Sequence, residues 1–228
     1  MEKATGIIKC SSHEDWLSKR TIGGSDASVI LDENPYRNKQ QLFRELKGLE
    51  TPKDISEKPY VLFGKRAEEH IRALFALKYA DVYEVIDPPT FEKDGYIELL
   101  YRKDKPYLTG TLDGKLIDKE TKEIGGIEVK TADVIKSSAK EKWTDGVPDN
   151  YYDQILHYFI VDQRLKFYHL VALLSYRTKD GDDRATLRQY YFTREMCAND
   201  IDRLEAEETK FWEEYVLKDI EPPLRIGI

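Results

Sequence analysis

The chain has 228 residues, 40% of them hydrophobic and 11% aromatic, which excludes a disordered polymer and suffices for one sizeable core. Its formal net charge of −7 excludes a surface that binds polyanions indiscriminately, so any nucleic-acid contact has to be local. No apolar run reaches the ~18 residues of a membrane span, Met1-Glu2-Lys3-Ala4-Thr5 lacks a signal-peptide pattern, and Cys10 and Cys197 form no cluster, so a reducing cytoplasm is expected.

In chain order, Ser12 caps a short helix over about 12–20. Gly23-Gly24 breaks it, and Ser25-Asp26 starts a second short helix toward Leu31. The Asn34-Pro35 turn leads to a third helix, about 38–47, which Gly48 ends. A long helix follows from about Pro59 to Ala80, with Phe63, Ala67, Ile71, Leu74 and Phe75 at helical spacing. Strands are predicted near 82–86, 96–102, 107–117 and 124–131, then a helix from about Asn150 to Val161. Strands near 167–176 and 186–192 precede a last helix, about 194–217. That helix carries Ile201, Leu204, Phe211, Trp212 and Tyr215 on one side, as core or as a subunit contact. No repeat or linker divides the chain, so one domain is expected over 1–228, of α/β or α+β class with a central mixed β-sheet flanked by helices.

The strongest chemical signal is Thr109-Gly110-Thr111-Leu112-Asp113-Gly114 followed by Ile127-Glu128-Val129-Lys130. Side chains alternate on a strand, so Glu128 and Lys130 share a face. The polar stretch 118–123 reads as a hairpin connection, and a hairpin symmetric about Glu120–Thr121 sets Asp113 opposite Glu128. Facing carboxylates repel unless a cation compensates, and hard oxygen donors suit Mg²⁺ or Mn²⁺. Such a centre, with Lys130 beside it, suits phosphodiester hydrolysis. The same three residues equally suit a solvated face with surface ion pairs.

Two further features bear on that choice. Glu68 lies on the long helix in one stripe with Gly64, Ile71 and Phe75, which turns it inward toward a metal or an arginine partner. Gln154 and Tyr158 are four apart on one helix face, where they suit either packing or contact with water, sugar and phosphate. The four histidines have no zinc spacing, and His157 reads as a hydrogen-bonded packing residue. Lys136, Lys140 and Lys142, with Trp143, suit a DNA track or a solvated loop. There is no phosphate-binding Gly-x-x-x-x-Gly-Lys-Ser/Thr loop, so ATP-driven unwinding is not expected.

In sequence, Gly64-x-x-x-Glu68, Asp113, Glu128-x-Lys130 and Gln154-x-x-x-Tyr158 resemble the PD-(D/E)xK nuclease superfamily, in its RecB-like branch. Ile22-Gly23-Gly24-Ser25-Asp26-Ala27, with Asn34-Pro35-Tyr36, is similar to the YqaJ-type viral recombinases, the family of phage lambda-type 5′→3′ exonucleases. The resemblance spans about Trp16 to Tyr158, and Leu112 replaces the proline of the superfamily motif. It implies a restriction-endonuclease-like core over about 81–228, preceded by a helical DNA-end-binding part over about 10–80. By the same resemblance Asp113, Glu128, the Val129 carbonyl and Glu68 bind Mg²⁺ (Mn²⁺ substituting), Lys130 activates the nucleophile and Gln154 assists. Arg20, Ser25 and Thr111 match a 5′-phosphate pocket, with Lys19 as the alternative to Arg20 and Trp16 as a wedge at the strand fork. Two cysteines exclude the iron–sulfur relatives, which need four.

The implied activity is a 5′→3′ exonuclease that digests one strand of duplex DNA from a 5′-phosphorylated end, leaving 3′ tails for recombination by single-strand annealing. A ring-shaped homotrimer and a single-strand annealing protein as partner are implied with it. An endonuclease of the same fold and a non-catalytic DNA-end scaffold are the alternatives.

Overall fold

The run 107–117, expected as one strand, is two strands in two different sheets. The structure, a computed structural model, describes residues 5–134, 142–144, 146–178 and 180–224. Strands β1 (Thr5–Cys10), β3 (Ile97–Arg102) and β4 (Lys105–Gly110) form an antiparallel sheet in the order β1-β3-β4. Strands β2 (Tyr83–Ile86), β5 (Lys115–Asp118), β6 (Ile124–Asp133), β7 (Leu165–Arg177) and β8 (Asp183–Thr193) form a mixed sheet in that order. The chain crosses from one sheet to the other between Gly110 and Lys115, and Asp113 lies in that crossing. Gly114 makes the crossing possible, because a Cβ there would meet Ile127 at 2.8 Å and Arg72 at 3.0 Å.

The expected hairpin register holds. Lys115 pairs with Gly126, Leu116 with Gly125 and Ile117 with Ile124, which sets the Asp113 segment against Glu128 and Val129. β6 and β7 are parallel, and helix α6 (Asp149–Val161) lies between them in sequence, as a parallel pair requires. The remaining helices are α1 (His13–Lys19), α2 (Gly24–Ile30), α3 (Lys39–Leu46), α4 (Pro59–Lys78), α5 (Phe91–Asp94) and α7 (Ala198–Phe211). The last predicted helix is shorter than expected and ends in a π-helical turn, Trp212–Val216.

Two apolar clusters sandwich the mixed sheet. One joins α4 to it through Ile71, Phe75, Leu116, Ile127, Val129, Phe167 and Val171. The other lies over the opposite face and takes in α2, α6 and α7, including Ile201, Leu204 and Phe211 with Trp212 and Tyr215 packed against it. The apolar side of the last helix is therefore core. Phe63 and Leu74, counted with the buried stripe of α4 by spacing, are 51% and 53% exposed, because Gly64, Ile71 and Phe75 set the inward direction. Strand β1 was not foreseen; its short Thr-Gly-Ile-Ile segment becomes a strand only by pairing with β3.

At the junction of α2, α6 and α7, Arg203 pairs with Glu33 at 3.2 Å. Burial, and then the Glu33 and Asp149 carboxylates, push the Asp153 carboxyl up to about 8. Its folded value is raised, so its contribution to stability falls as pH rises from the ordinary 3.8 toward 8. Asp153→Asn is expected to gain on wild type in urea unfolding between pH 5 and pH 9, by up to about 4 kcal/mol for the roughly three units of that window below the raised value. An equal offset at both pH values would contradict this.

Candidate active site

β5 begins at Lys115, so beyond Gly126 that edge of β6 has no strand partner among the described residues. The crossing takes that place. Gly114 C=O accepts from Ile127 N–H at 3.2 Å, and Asp113 Oδ2 accepts from Val129 N–H at 2.8 Å. On a strand the N–H and C=O of one residue point the same way, so the Val129 carbonyl faces the Asp113 edge as well. Glu128 and Lys130 project to the α6 side, where Lys130 Nζ lies 5.1 Å from the Tyr151 ring centre and donates to Glu128 Oε1 at 2.6 Å.

Glu128 is 1% exposed, and its Oε2 has no hydrogen-bond partner among the described residues. Burial, and then the nearby Asp113 carboxylate, push its carboxyl up to about 8. Burial and Asp113 likewise raise Glu68 to about 7, and burial raises Asp113 itself. Burial opposes the charge on Lys130, yet Glu128 and Asp113 hold its ammonium up to about 12. Three carboxyls thus resist ionisation beside the charged Lys130 and Arg72. Glu68 takes the arginine partner that its helix position allowed: Arg72 Nη1 donates to Glu68 Oε1 at 3.0 Å.

An orphaned buried carboxylate oxygen costs free energy that a cation would recover. Glu128 Oε2, Asp113, Glu68 and the Val129 carbonyl are hard oxygen donors, so the residues fit a divalent ion of the Mg²⁺ or Mn²⁺ kind. Among the described residues no three His, Cys, Asp or Glu side chains already stand as a ligand set, Glu68 being turned onto Arg72 and Glu128 onto Lys130.

Beside this centre opens a cleft of about 830 Å³ lined by Trp16, Arg20, Ser25, Thr111, Gln154 and Tyr158, among others. α2 reaches α6 here because residue 24 is glycine: a Cβ would stand 2.8 Å from Gln154. Arg20 Nη2 donates to Ser25 Oγ at 3.2 Å, and the Trp16 indole N–H donates to Thr111 Oγ1 at 3.1 Å. Each hydroxyl thereby accepts a hydrogen bond and keeps its own proton to give. That is the arrangement an anion needs.

Sequence reasoning missed two residues that order the cleft. Asp26, fully buried, accepts from Arg20 Nη2 at 2.8 Å, from Gly23 N–H at 2.8 Å and from Arg37, which also pairs with Glu45 at 2.7 Å. Burial opposes the Asp26 charge, but Arg20 and Arg37 hold its carboxyl below the ordinary value. Asp26 stood in the Gly-Gly-Ser-Asp segment and was readable; Arg37 joins only through the tertiary fold. Lys19 is bound instead to Asp15 at 2.7 Å.

Other expectations change. Tyr158 lines the cleft but is 5% exposed, its hydroxyl accepting from Gln154 Nε2 at 2.8 Å, so its ring packs under α2. Trp16 is tied to Thr111 and stacks on His13. Trp143 is 4% exposed against Tyr151 and Tyr190, so it offers no face to a base, while Lys136 and Lys140 lie outside the described residues. His157 is a packing residue: Nε2 meets the Thr109 carbonyl at 2.8 Å and Nδ1 meets Glu208 at 2.6 Å, all buried.

Residues 15–164, which carry the carboxylate centre and all but Trp212 of the cleft lining, match the YqaJ-like viral recombinase domain. The chain belongs to that family. No curated protein matches this YqaJ-family chain. Among solved structures it is similar to the alkaline exonuclease LHK-Exo from Laribacter hongkongensis (17% identity, 90% of this chain and 97% of that one, TM-score 0.50). LHK-Exo in complex with dAMP matches at 15% identity over 91% and 97%, with TM-score 0.55. A phage-related exonuclease from Haemophilus somnus 129PT matches at 11% identity over 87% and 96%, with TM-score 0.51. The fold is similar to that of these exonucleases, an antiparallel sheet and a mixed sheet flanked by helices. Among the described residues no helix is long and apolar enough to cross a membrane.

Proposed function

We propose that this YqaJ-family protein is a divalent-metal-dependent deoxyribonuclease that removes nucleotides 5′→3′ from the ends of duplex DNA. The observation that carries the reading is the continuity of centre and cleft: Thr111, at the anion-ready cleft, and Asp113, at the carboxylate cluster, are two residues apart in one crossing. Two residues of extended chain span at most about 7 Å. An end phosphate held at Arg20, Ser25 and Thr111 therefore brings the neighbouring phosphodiester to the carboxylates. This favours end digestion over internal cleavage.

Asp113, Glu128, Glu68 and the Val129 carbonyl would hold the ion, Mg²⁺ with Mn²⁺ substituting. When bound, it polarises the phosphate and makes a bound water more acidic. Lys130, steadied by Glu128, stabilises negative charge growing on the phosphate and orients the attacking water. The Gln154 amide lines the cleft at the α6 side and can orient a phosphate oxygen.

The test is nucleotide release from a linear blunt duplex carrying 5′-phosphate or 5′-hydroxyl ends, with closed circular DNA as control. Mg²⁺-stimulated release from the phosphorylated 5′ end is expected, and fast nicking of the circle would indicate an endonuclease. Arg20→Ala is expected to erase most of the preference for 5′-phosphate, about tenfold or more for a charge-assisted contact. An unchanged preference would move the phosphate pocket elsewhere.

A further inference from the structure

Arg72 is nearly buried, although it stands one turn after Glu68 on α4, where a solvent-exposed ion pair is the ordinary outcome. Its guanidinium donates in three directions. Nη1 reaches Glu68 Oε1 at 3.0 Å and the Asp113 backbone carbonyl at 2.8 Å, and Nε reaches Asp87 Oδ1 at 2.6 Å. The three acceptors belong to three separate segments: α4, the connection after β2, and the crossing between β4 and β5. Gly114 leaves the room this needs, since a Cβ there would stand 3.0 Å from Arg72 Cδ.

The crossing belongs to neither sheet at Asp113, so no ladder sets its distance from α4. We propose that Arg72 is a positioning residue, a guanidinium bracket that fixes the Glu68 carboxylate relative to the Asp113 backbone, with Asp87 anchoring the bracket. The bracket thereby sets the spacing of two ligands of the proposed divalent cation, and in this it rests on the metal-nuclease reading. A planar fork with five donors can serve three acceptors at fixed angles, whereas a lysine ammonium on a flexible stem supplies the charge without the geometry.

That difference gives the test: Mn²⁺ binding to the whole protein without DNA, followed by calorimetry, for wild type, Arg72→Lys, Asp87→Ala and Asp113→Asn. Arg72→Lys is expected to weaken Mn²⁺ binding by about tenfold or more, as loss of a residue that orients ligands does. Asp87 is largely exposed, so Asp87→Ala is expected to cost less, about threefold. Saturating Mn²⁺ should restore much of the hydrolysis rate to both. Wild-type Mn²⁺ affinity in Arg72→Lys would mean that only the positive charge matters and would overturn the bracket. Should that variant fail to fold, an unchanged affinity in Asp87→Ala overturns it in the same way. Asp113→Asn should abolish binding; Mn²⁺ affinity retained there sinks the metal-nuclease reading and the bracket with it. Failure confined to the Arg72 and Asp87 variants leaves the nuclease reading standing.

Discussion

Asp113→Asn is expected to lower the rate of DNA hydrolysis by roughly 10²-fold or more while duplex binding persists, because it removes a ligand of the proposed cation. The asparagine side-chain oxygen can still accept from Val129 N–H, so the crossing keeps its anchor and the loss reports on chemistry rather than folding. Lys130→Ala is expected to lose a similar factor by a different route. It removes the growing-charge stabiliser and takes from Glu128 Oε1 its Lys130 donor, where Oε2 already lacks a partner among the described residues. Single-turnover hydrolysis and fluorescence anisotropy in Ca²⁺ separate rate from binding. Near-wild-type turnover in both variants would remove these residues from the chemistry.

The second large effect is on stability, and it depends on pH. Glu68 and Glu128 have folded values of about 7 and 8, raised from the ordinary 4.5, so without metal their contribution to stability falls as pH rises through that interval. An ion held by the ionised carboxylates competes with protons, so it binds weakly at pH 5 and tightly at pH 8. At a hundred times its dissociation constant a ligand stabilises by about 2.7 kcal/mol, roughly 5–10 °C in Tm for a chain of this size. Thermal unfolding should therefore show a Mn²⁺-dependent rise of that order at pH 8 and little at pH 5, relative to EDTA. Glu128→Gln should show neither. An equal Mn²⁺ response at the two pH values, or in Glu128→Gln, contradicts the assignment.

Much of this was legible because the physical signals were local. Alternation placed Glu128 and Lys130 together on β6, and the polar stretch 118–123 gave the hairpin register that sets the Asp113 segment against β6. The inward turn of Glu68 followed from its stripe on α4, and an arginine four residues on was visible in the same stripe. What could not be read was where one chain changes sheets. Thr111 to Gly114 continue the apolar alternation of 107–117, and only the packing of Gly114 against Ile127 and Arg72 shows that the strand has ended. The Arg37 and Asp87 pairs likewise join different elements, and the indole bond to Thr111 joins segments distant in sequence. The 5′-phosphate residues were named by resemblance; that the Ser25 and Thr111 hydroxyls accept from Arg20 and Trp16 is a fact of the folded chain alone.

The central claim is that the carboxylates of Glu68 on α4, Asp113 in the crossing and Glu128 on β6 make one divalent-metal centre that acts on a DNA end. A crystal structure with Mn²⁺ and a 5′-phosphorylated duplex end, read by the anomalous signal of manganese, tests it most directly. The account predicts manganese among Glu68, Asp113, Glu128 and the Val129 carbonyl, with the terminal phosphate at Arg20, Ser25 and Thr111. Manganese bound elsewhere, with the Lys130–Glu128 and Arg72–Glu68 pairs intact, would contradict it.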